Sequence, residues 1–238
     1  MEPIMKPEPS AILTEGRSKR IYRLDQGLCL VELLPTLDSF TTDRHEIVEG
    51  TAELRLDFHE IACERLAAEG VATAFVRRES RLTYVARWLP GPPFEVIVKN
   101  RAVGSTLRKY PGLFPPLVPF DPPVVRFDYR TAPEDQPIGE DYLRAAGTDP
   151  APLRRQALRI NRALREWLAP LDLLDICFIF GPDGRGDPVL TSEVSPDCFR
   201  LQDARGESYD KDLFRRKASP ETIIARWRGL VDSIRAKE

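Results

Sequence analysis

A chain of 238 residues, 42% hydrophobic and 30% charged, can bury a substantial core in one large domain or two joined lobes. Thirty-five basic and 37 acidic residues leave a formal net charge of −2, so bulk charge gives no reason to expect a nucleic-acid partner. No apolar run is long enough to cross a bilayer and none at the start resembles a signal peptide, so no membrane association and a cytoplasmic location are expected.

Residues 1–10, proline-rich and mixed in charge, read as a flexible leader, followed by an N-terminal α+β lobe over 11–95 and a C-terminal α+β lobe over 96–238. Strands are predicted around Arg20–Tyr22 and Leu28–Leu33, joined at Asp25-Gln26-Gly27, where glycine permits positive φ. A polar loop is expected from Thr36 to Gly50. Leu54, Phe58, Ile61, Ala62 and Leu66 then recur at helical spacing, with Gly70 as the stop. His59 falls on this helix beside charged residues and is expected at the surface. Strands follow at Ala72–Arg77, Leu82–Trp88 and Phe94–Lys99.

Between Tyr110 and Pro152 the density of prolines predicts a long excursion with one strand, Val124–Asp128. An amphipathic helix over Leu153–Leu168 puts Ala157, Ile160, Leu164 and Trp167 on one stripe. Leu173–Phe180 and Pro188–Val194 read as hairpin strands around Gly181-Pro182-Asp183-Gly184. Ser219-Pro220 caps a last helix with Ile223, Ile224, Trp227, Leu230, Val231 and Ile234 inward. Strands and helices interleave without regular βαβ alternation, which argues for an α+β fold. Cys29, Cys63, Cys177 and Cys198 are scattered without a CxxC pair, and are expected as buried or half-buried free thiols.

Three stretches can carry chemistry. Glu15-Gly16-Arg17-Ser18-Lys19-Arg20 enters a strand with Arg17 and Lys19 at alternating positions, fit to hold nucleotide phosphates or, equally, to guard an edge strand. Lys99-Asn100-Arg101-Ala102-Val103-Gly104-Ser105 leaves a strand with two cations and a hydroxyl, suited to a phosphate or carboxylate, or simply to opening a helix. Glu193-Val194-Ser195-Pro196-Asp197-Cys198-Phe199-Arg200 crowds charge at a strand-to-loop junction, as a site or as a salt-bridged turn. Further on, Asp210 to Arg216 alternates in charge as an exposed helical turn does.

The order of these stretches resembles the SAICAR synthetase family. The family's Gly-Lys-x-Lys-x-x-Tyr opening is matched by Gly16 to Tyr22, and its Val-x-Arg-Asn-x-x-x-Gly-Ser motif by Val98 to Ser105. Its Ser-Pro-Asp-x-x-Arg motif is matched by Ser195 to Arg200, and its Asp-Lys-Asp-x-x-Arg stretch by Asp210 to Arg215. The Leu-x-Asp strand is matched by Leu173 to Asp175. The resemblance runs from about Thr14 to the C-terminus.

It implies a two-lobed α+β fold with ATP between the lobes, in a magnesium-dependent ligase of purine biosynthesis. Such enzymes join an imidazole ribonucleotide carboxylate to the amine of aspartate by way of an acyl phosphate. Arg17 and Lys19 would meet the nucleotide, and Lys99, Arg101, Ser105, Asp197, Arg200 and Arg215 the substrates. Asp175 and Glu193 would be catalytic, with Glu193 also a metal ligand. Partners would be small molecules, with a homo-oligomer left open. The sequence departs from the family at Cys177, usually lysine, and at Ile179 and Ser192, usually carboxylates that hold magnesium. Metal binding is therefore expected to be weakened. Beside the family's own reaction stand two alternatives, a diverged carboxylate–amine ligase of specialised metabolism and a non-catalytic ligand-binding relative.

Overall fold

A computed structural model describes residues 12–132 and 134–237; the leader expected over 1–10 lies outside the described residues. The chain begins with strands β1 (Ile12–Glu15), β2 (Lys19–Arg23) and β3 (Leu28–Leu33) and a hairpin of β4 (Thr36–Ser39) and β5 (Arg44–Ile47). Helix α1 (Thr51–Ala68) and strands β6 (Phe75–Arg78) and β7 (Thr83–Arg87) follow. Strands β1-β2-β3-β7-β6 form an antiparallel sheet in that order. Central β3 buries Cys29, Leu30, Val31 and Leu33, so its sequence runs apolar instead of alternating. The β4–β5 hairpin corrects the polar loop expected from Thr36 to Gly50. Two of its buried positions, Thr36 and Ser39, are polar, which hid the strand pattern.

The second half holds β8 (Phe94–Arg101), α2 (Ser105–Lys109), β9 (Pro119–Tyr129), β10 (Gln136–Ile138), α3 (Glu140–Ala145) and α4 (Pro150–Leu168). It closes with β11 (Asp172–Phe178), β12 (Phe180–Pro182), β13 (Pro188–Leu190), β14 (Phe199–Gln202), α5 (Asp212–Arg215) and α6 (Pro220–Arg235). Strands β10-β9-β8-β11-β14 make a second antiparallel sheet. Where the prolines predict one short strand, β9 runs 11 residues and is followed by β10 and α3. Pro122 and Pro123 sit in a register break opposite β8, where no ladder N–H is needed. The expected strand Leu173–Phe180 breaks at Ile179: β11 pairs with β8 and β14, while β12 and β13 form a separate ribbon. Ile179 and Ser192 remain neighbours, since the Ile179 N–H donates to Ser192 Oγ at 3.0 Å.

Residues 88–93 join the sheets and pass close to β12. Gly91 and Gly181 make that crossing one of backbone on backbone: a Cβ on Gly91 would collide with the Phe180 carbonyl, and one on Gly181 with that of Leu89. Helix α1 is wedged between the sheets. Leu54, Phe58, Ile61, Ala62 and Leu66 join the main core with Ile160, Leu164, Trp227 and Val231, while Ala52 and Leu56 pack under the first sheet. Among the described residues no helix is long and apolar enough to cross a membrane, and all four cysteines are free.

With two buried faces, α1 takes His59 inside, 3% exposed, against the expectation of a surface residue. The Val194 N–H donates to His59 Nδ1 at 3.1 Å, and the ring packs edge-on to Tyr84 and Phe75. Burial drops its pKa to about 4. The unfolded chain therefore takes up a proton near pH 6.5 that the folded chain refuses until about pH 4, so stability is present above pH 6.5 and falls as pH drops between these values. The loss expected is on the order of 3 kcal/mol by pH 4, about 2 kcal/mol of it between pH 7 and pH 5. Urea denaturation at pH 7 and pH 5 checks it: His59→Asn, whose side-chain oxygen can still accept from Val194, should flatten the difference. An equally steep loss in the variant would assign it elsewhere.

Candidate active-site cleft

A cleft of about 390 Å³ opens between the two sheets. Lys19 of β2 lines one wall, and Glu95, Ile97 and Lys99 of β8 with Asp175 and Cys177 of β11 line another. Ser105 at the start of α2, Arg130 after β9, Ile176, Ile179, Ser192, the run Asp197 to Arg200, and Arg215 of α5 complete it.

At one end a single carboxylate organises the cations. Lys99 and Arg200 both lie opposite Asp175 in the ladders of the second sheet. Lys99 Nζ reaches Asp175 Oδ2 at 2.5 Å, and Arg200 Nη1 bonds both Asp175 oxygens, at 2.9 and 3.2 Å. Asp212 holds the far side of Arg200 at 3.3 Å and ties down Arg215 at 2.5 Å. Burial works to raise the Asp175 carboxyl, but Lys99 and Arg200 prevail and hold it below the usual carboxylate range. Burial pushes the Lys99 ammonium down. Gly104, at φ 56°, admits this cluster, because a Cβ there would lie 2.6 Å from the Arg200 guanidinium.

At the other end Glu193 is buried among donors. Arg55 of α1, wholly buried, grips it with two hydrogen bonds, Nε–Oε1 at 2.8 Å and Nη2–Oε2 at 2.7 Å. Ser195 Oγ donates to Oε1 at 2.6 Å, and Lys19 Nζ stands 3.0 Å from Oε2. Burial would raise this carboxyl too; Arg55 and Lys19 hold it well below the carboxylate range. Asp197 pairs with Lys211 at 2.9 Å.

These donors do not by themselves build a magnesium cage, and a metal here would lean on the nucleotide's own phosphates. Expected as a metal ligand, Glu193 has both oxygens committed to Arg55, Lys19 and Ser195. Ile179 and Ser192 bring no carboxylate, and among the described residues no three His, Cys, Asp or Glu side chains converge on a metal position.

Of the residues expected from sequence, the cleft brings together Lys19, Lys99, Ser105, Asp175, Asp197, Arg200 and Arg215, with Glu193 behind them. Arg17 is a correction: it precedes β2, so strand alternation does not apply, and its side chain, 67% exposed, pairs with Asp38 at 2.8 Å. Arg101 is another. At the last position of β8, Arg101 pairs with Asp172 beside Arg165, in a different hollow. The run Asp210 to Arg216 is not an exposed turn either, since Asp210 and Phe214 are buried.

Arg55, Glu95 and Arg126 went unread. Arg55 stands on a helix between apolar positions, where arginine by itself reads as solvated. Glu95 lies in the Phe94–Lys99 strand, where an even interval from Lys99 was a usable signal that it shares the cleft face. Burial raises its pKa, and the Cys177 thiol donates to it at 3.1 Å. For Arg126 the sequence carries no local signal.

Two facing antiparallel sheets, with an intervening cleft whose cations are braced by buried carboxylates, define a protein that binds polyanionic small molecules. The family model of SAICAR synthetase matches residues 12–228, and the chain belongs to the SAICAR synthetase family. The phosphoribosylaminoimidazole-succinocarboxamide synthase of Pediococcus pentosaceus is 34% identical over 217 residues, covering 87% of this chain and 89% of its own length. That of Methanocaldococcus jannaschii is 29% identical, covering 96% and 95%. Among solved structures, a type-2 SAICAR synthetase in complex with ADP superposes with a TM-score of 0.87 at 26% identity, over 94% of this chain and 97% of its own.

The Arg55–Glu193 pair should dominate local stability. Arg55→Met leaves a buried carboxylate short of its main partner and should cost about 3–5 kcal/mol. Arg55→Met combined with Glu193→Leu should recover a large part of that. Both are read from urea unfolding midpoints, and a single-variant cost under about 1 kcal/mol would deny the pair this role.

Proposed function

We propose that the chain is an ATP-dependent, amide-forming ligase that joins aminoimidazole ribonucleotide carboxylate to the amine of aspartate. The observation that carries the reading is the cluster of Lys99, Arg200 and Arg215, preset by Asp175 and Asp212 beside the Ser105 hydroxyl. Fixed cations of this kind suit a ribose phosphate and an aromatic carboxylate. Lys19, projecting from the opposite wall with Glu193 behind it, is the cation available to nucleotide phosphates. The substrates are soluble, in keeping with work in the cytoplasm.

In this reading a carboxylate oxygen of the acceptor attacks the terminal phosphorus of ATP, releasing ADP and leaving an acyl phosphate. The aspartate amine then attacks the acyl carbon; inorganic phosphate leaves and the amine gives up a proton. The chain's own contribution is electrostatic. Lys99, Arg200 and Arg215 hold the acceptor while Lys19 offsets charge on the phosphates. Magnesium, for which the side chains build no cage of their own, is given no step.

The test is ADP release with ATP, aminoimidazole ribonucleotide carboxylate and aspartate, each omitted in turn. ADP formed only when all three are present supports the proposal. ADP formed with a different carboxylate or amine assigns a diverged ligase, and none with any carboxylate leaves a binding protein. Arg200→Ala should raise the acceptor KM about 10–100-fold, the loss of a charge-assisted contact. Wild-type ADP affinity should change by less than about threefold on adding magnesium, and Ile179→Glu with Ser192→Asp should make it strongly magnesium-dependent. Tight magnesium dependence in the wild type, unchanged in the double variant, would reveal another metal site.

A further inference from the structure

Behind the acceptor end, Arg126 on β9 lies opposite Ile97 of β8, on the sheet face that also carries Lys99. Its side chain is 12% exposed. Arg126 Nη2 donates to Ser105 Oγ at 3.1 Å and to Asp128 Oδ2 at 2.6 Å. The remaining donors Nε and Nη1, and the second oxygen of Asp128, are buried without partners. An ion pair whose purpose was only structural would leave a poor account of these three atoms, since buried polar groups are ordinarily satisfied.

The consequence lies at Ser105. A serine hydroxyl has one proton to give and two lone pairs to offer. Arg126 cannot lose its own proton at neutral pH, so it binds a lone pair of Ser105 and leaves the hydroxyl proton to be given elsewhere. Ser105 lines the cleft with Lys99, Arg200 and Arg215, so an oxyanion there is the acceptor that proton meets. We propose that Arg126 is a positioning residue for the acceptor's phosphate: it fixes Ser105 as a hydrogen-bond donor into the cleft. The inference rests on the acceptor-site reading above.

The experiment is calorimetric titration of the full chain with aminoimidazole ribonucleotide carboxylate and with the same compound lacking its phosphate. Arg126→Gln should weaken the phosphorylated ligand at least tenfold and leave the dephosphorylated one within twofold. In a Ser105→Ala background the Arg126→Gln change should add less than threefold, because its route to the ligand is already gone. Arg126→Lys should recover part of the affinity. Should the loss of charge beside Asp128 unfold Arg126→Gln, Arg126→Gln with Asp128→Asn tests the same point in a neutral pair. Unchanged affinity in a folded variant, equal weakening of both ligands, or full additivity with Ser105→Ala would each overturn the proposal. Failure of the wild type to bind the phosphorylated ligand would overturn the acceptor reading itself, and this inference with it.

Discussion

A carboxylate taken wholly out of water needs partners that replace its hydration, and Glu193 finds them in Arg55, Ser195 and Lys19. Much else follows from this one ion pair. Arg55 can reach Glu193 only because α1 is wedged between the sheets. Its third nitrogen, Nη1, lies within 3.4 Å of the Ser18 carbonyl and 3.2 Å of that of Leu34, on the segments flanking β2 and β3. A single guanidinium thereby ties the first sheet and the helix to the segment after β13 that leads into Ser195-Pro196-Asp197. Removing either charge leaves the other stranded, which is why the pair fixes geometry more firmly than any apolar contact of similar size. Lys19 then meets a carboxylate already held in place, and its ammonium is presented to the cleft.

The opposite end repeats the logic with different parts. Asp175 serves Lys99 and Arg200 as Glu193 serves Arg55 and Lys19. In both places a buried acid braces the cations around it, and those cations line the cleft. Cations that cannot swing away have little conformational entropy left to lose when a ligand arrives, so more of the electrostatic attraction survives as affinity.

What the sequence disclosed depended on whether a residue's role was local. The α1 stripe, the Ser219-Pro220 cap and the Asp25-Gln26-Gly27 turn, with φ of 59° and 72° at Gln26 and Gly27, are settled by neighbours a few residues away. Lys99, Arg200 and Arg215 were legible because motif order carries information that a single segment lacks. His59 and Arg55 were not, because burial on two faces of one helix is decided by what packs against it from remote parts of the chain. Arg101 lies outside the cleft for a different reason: it ends β8, and the acid within its reach, Asp172, stands in a neighbouring hollow. The β4–β5 hairpin stayed hidden since part of its inward side is hydroxyl-bearing instead of apolar.

The crossing of Gly91 over Gly181 acts as a caliper. Two stretches of backbone meet with no side chain between them, so the gap between the linker that joins the sheets and β12 is set there by the thickness of the backbone. A gap fixed in this way cannot be widened by degrees, because even the smallest added methyl meets a carbonyl head-on. A lineage of such chains that came to accept a larger or smaller ligand would have to recut the lining instead, at positions such as Cys177, Cys198 and Phe199. Diversity of ligand and constancy of frame would then be written into separate sets of residues, the first in side chains and the second in two glycines.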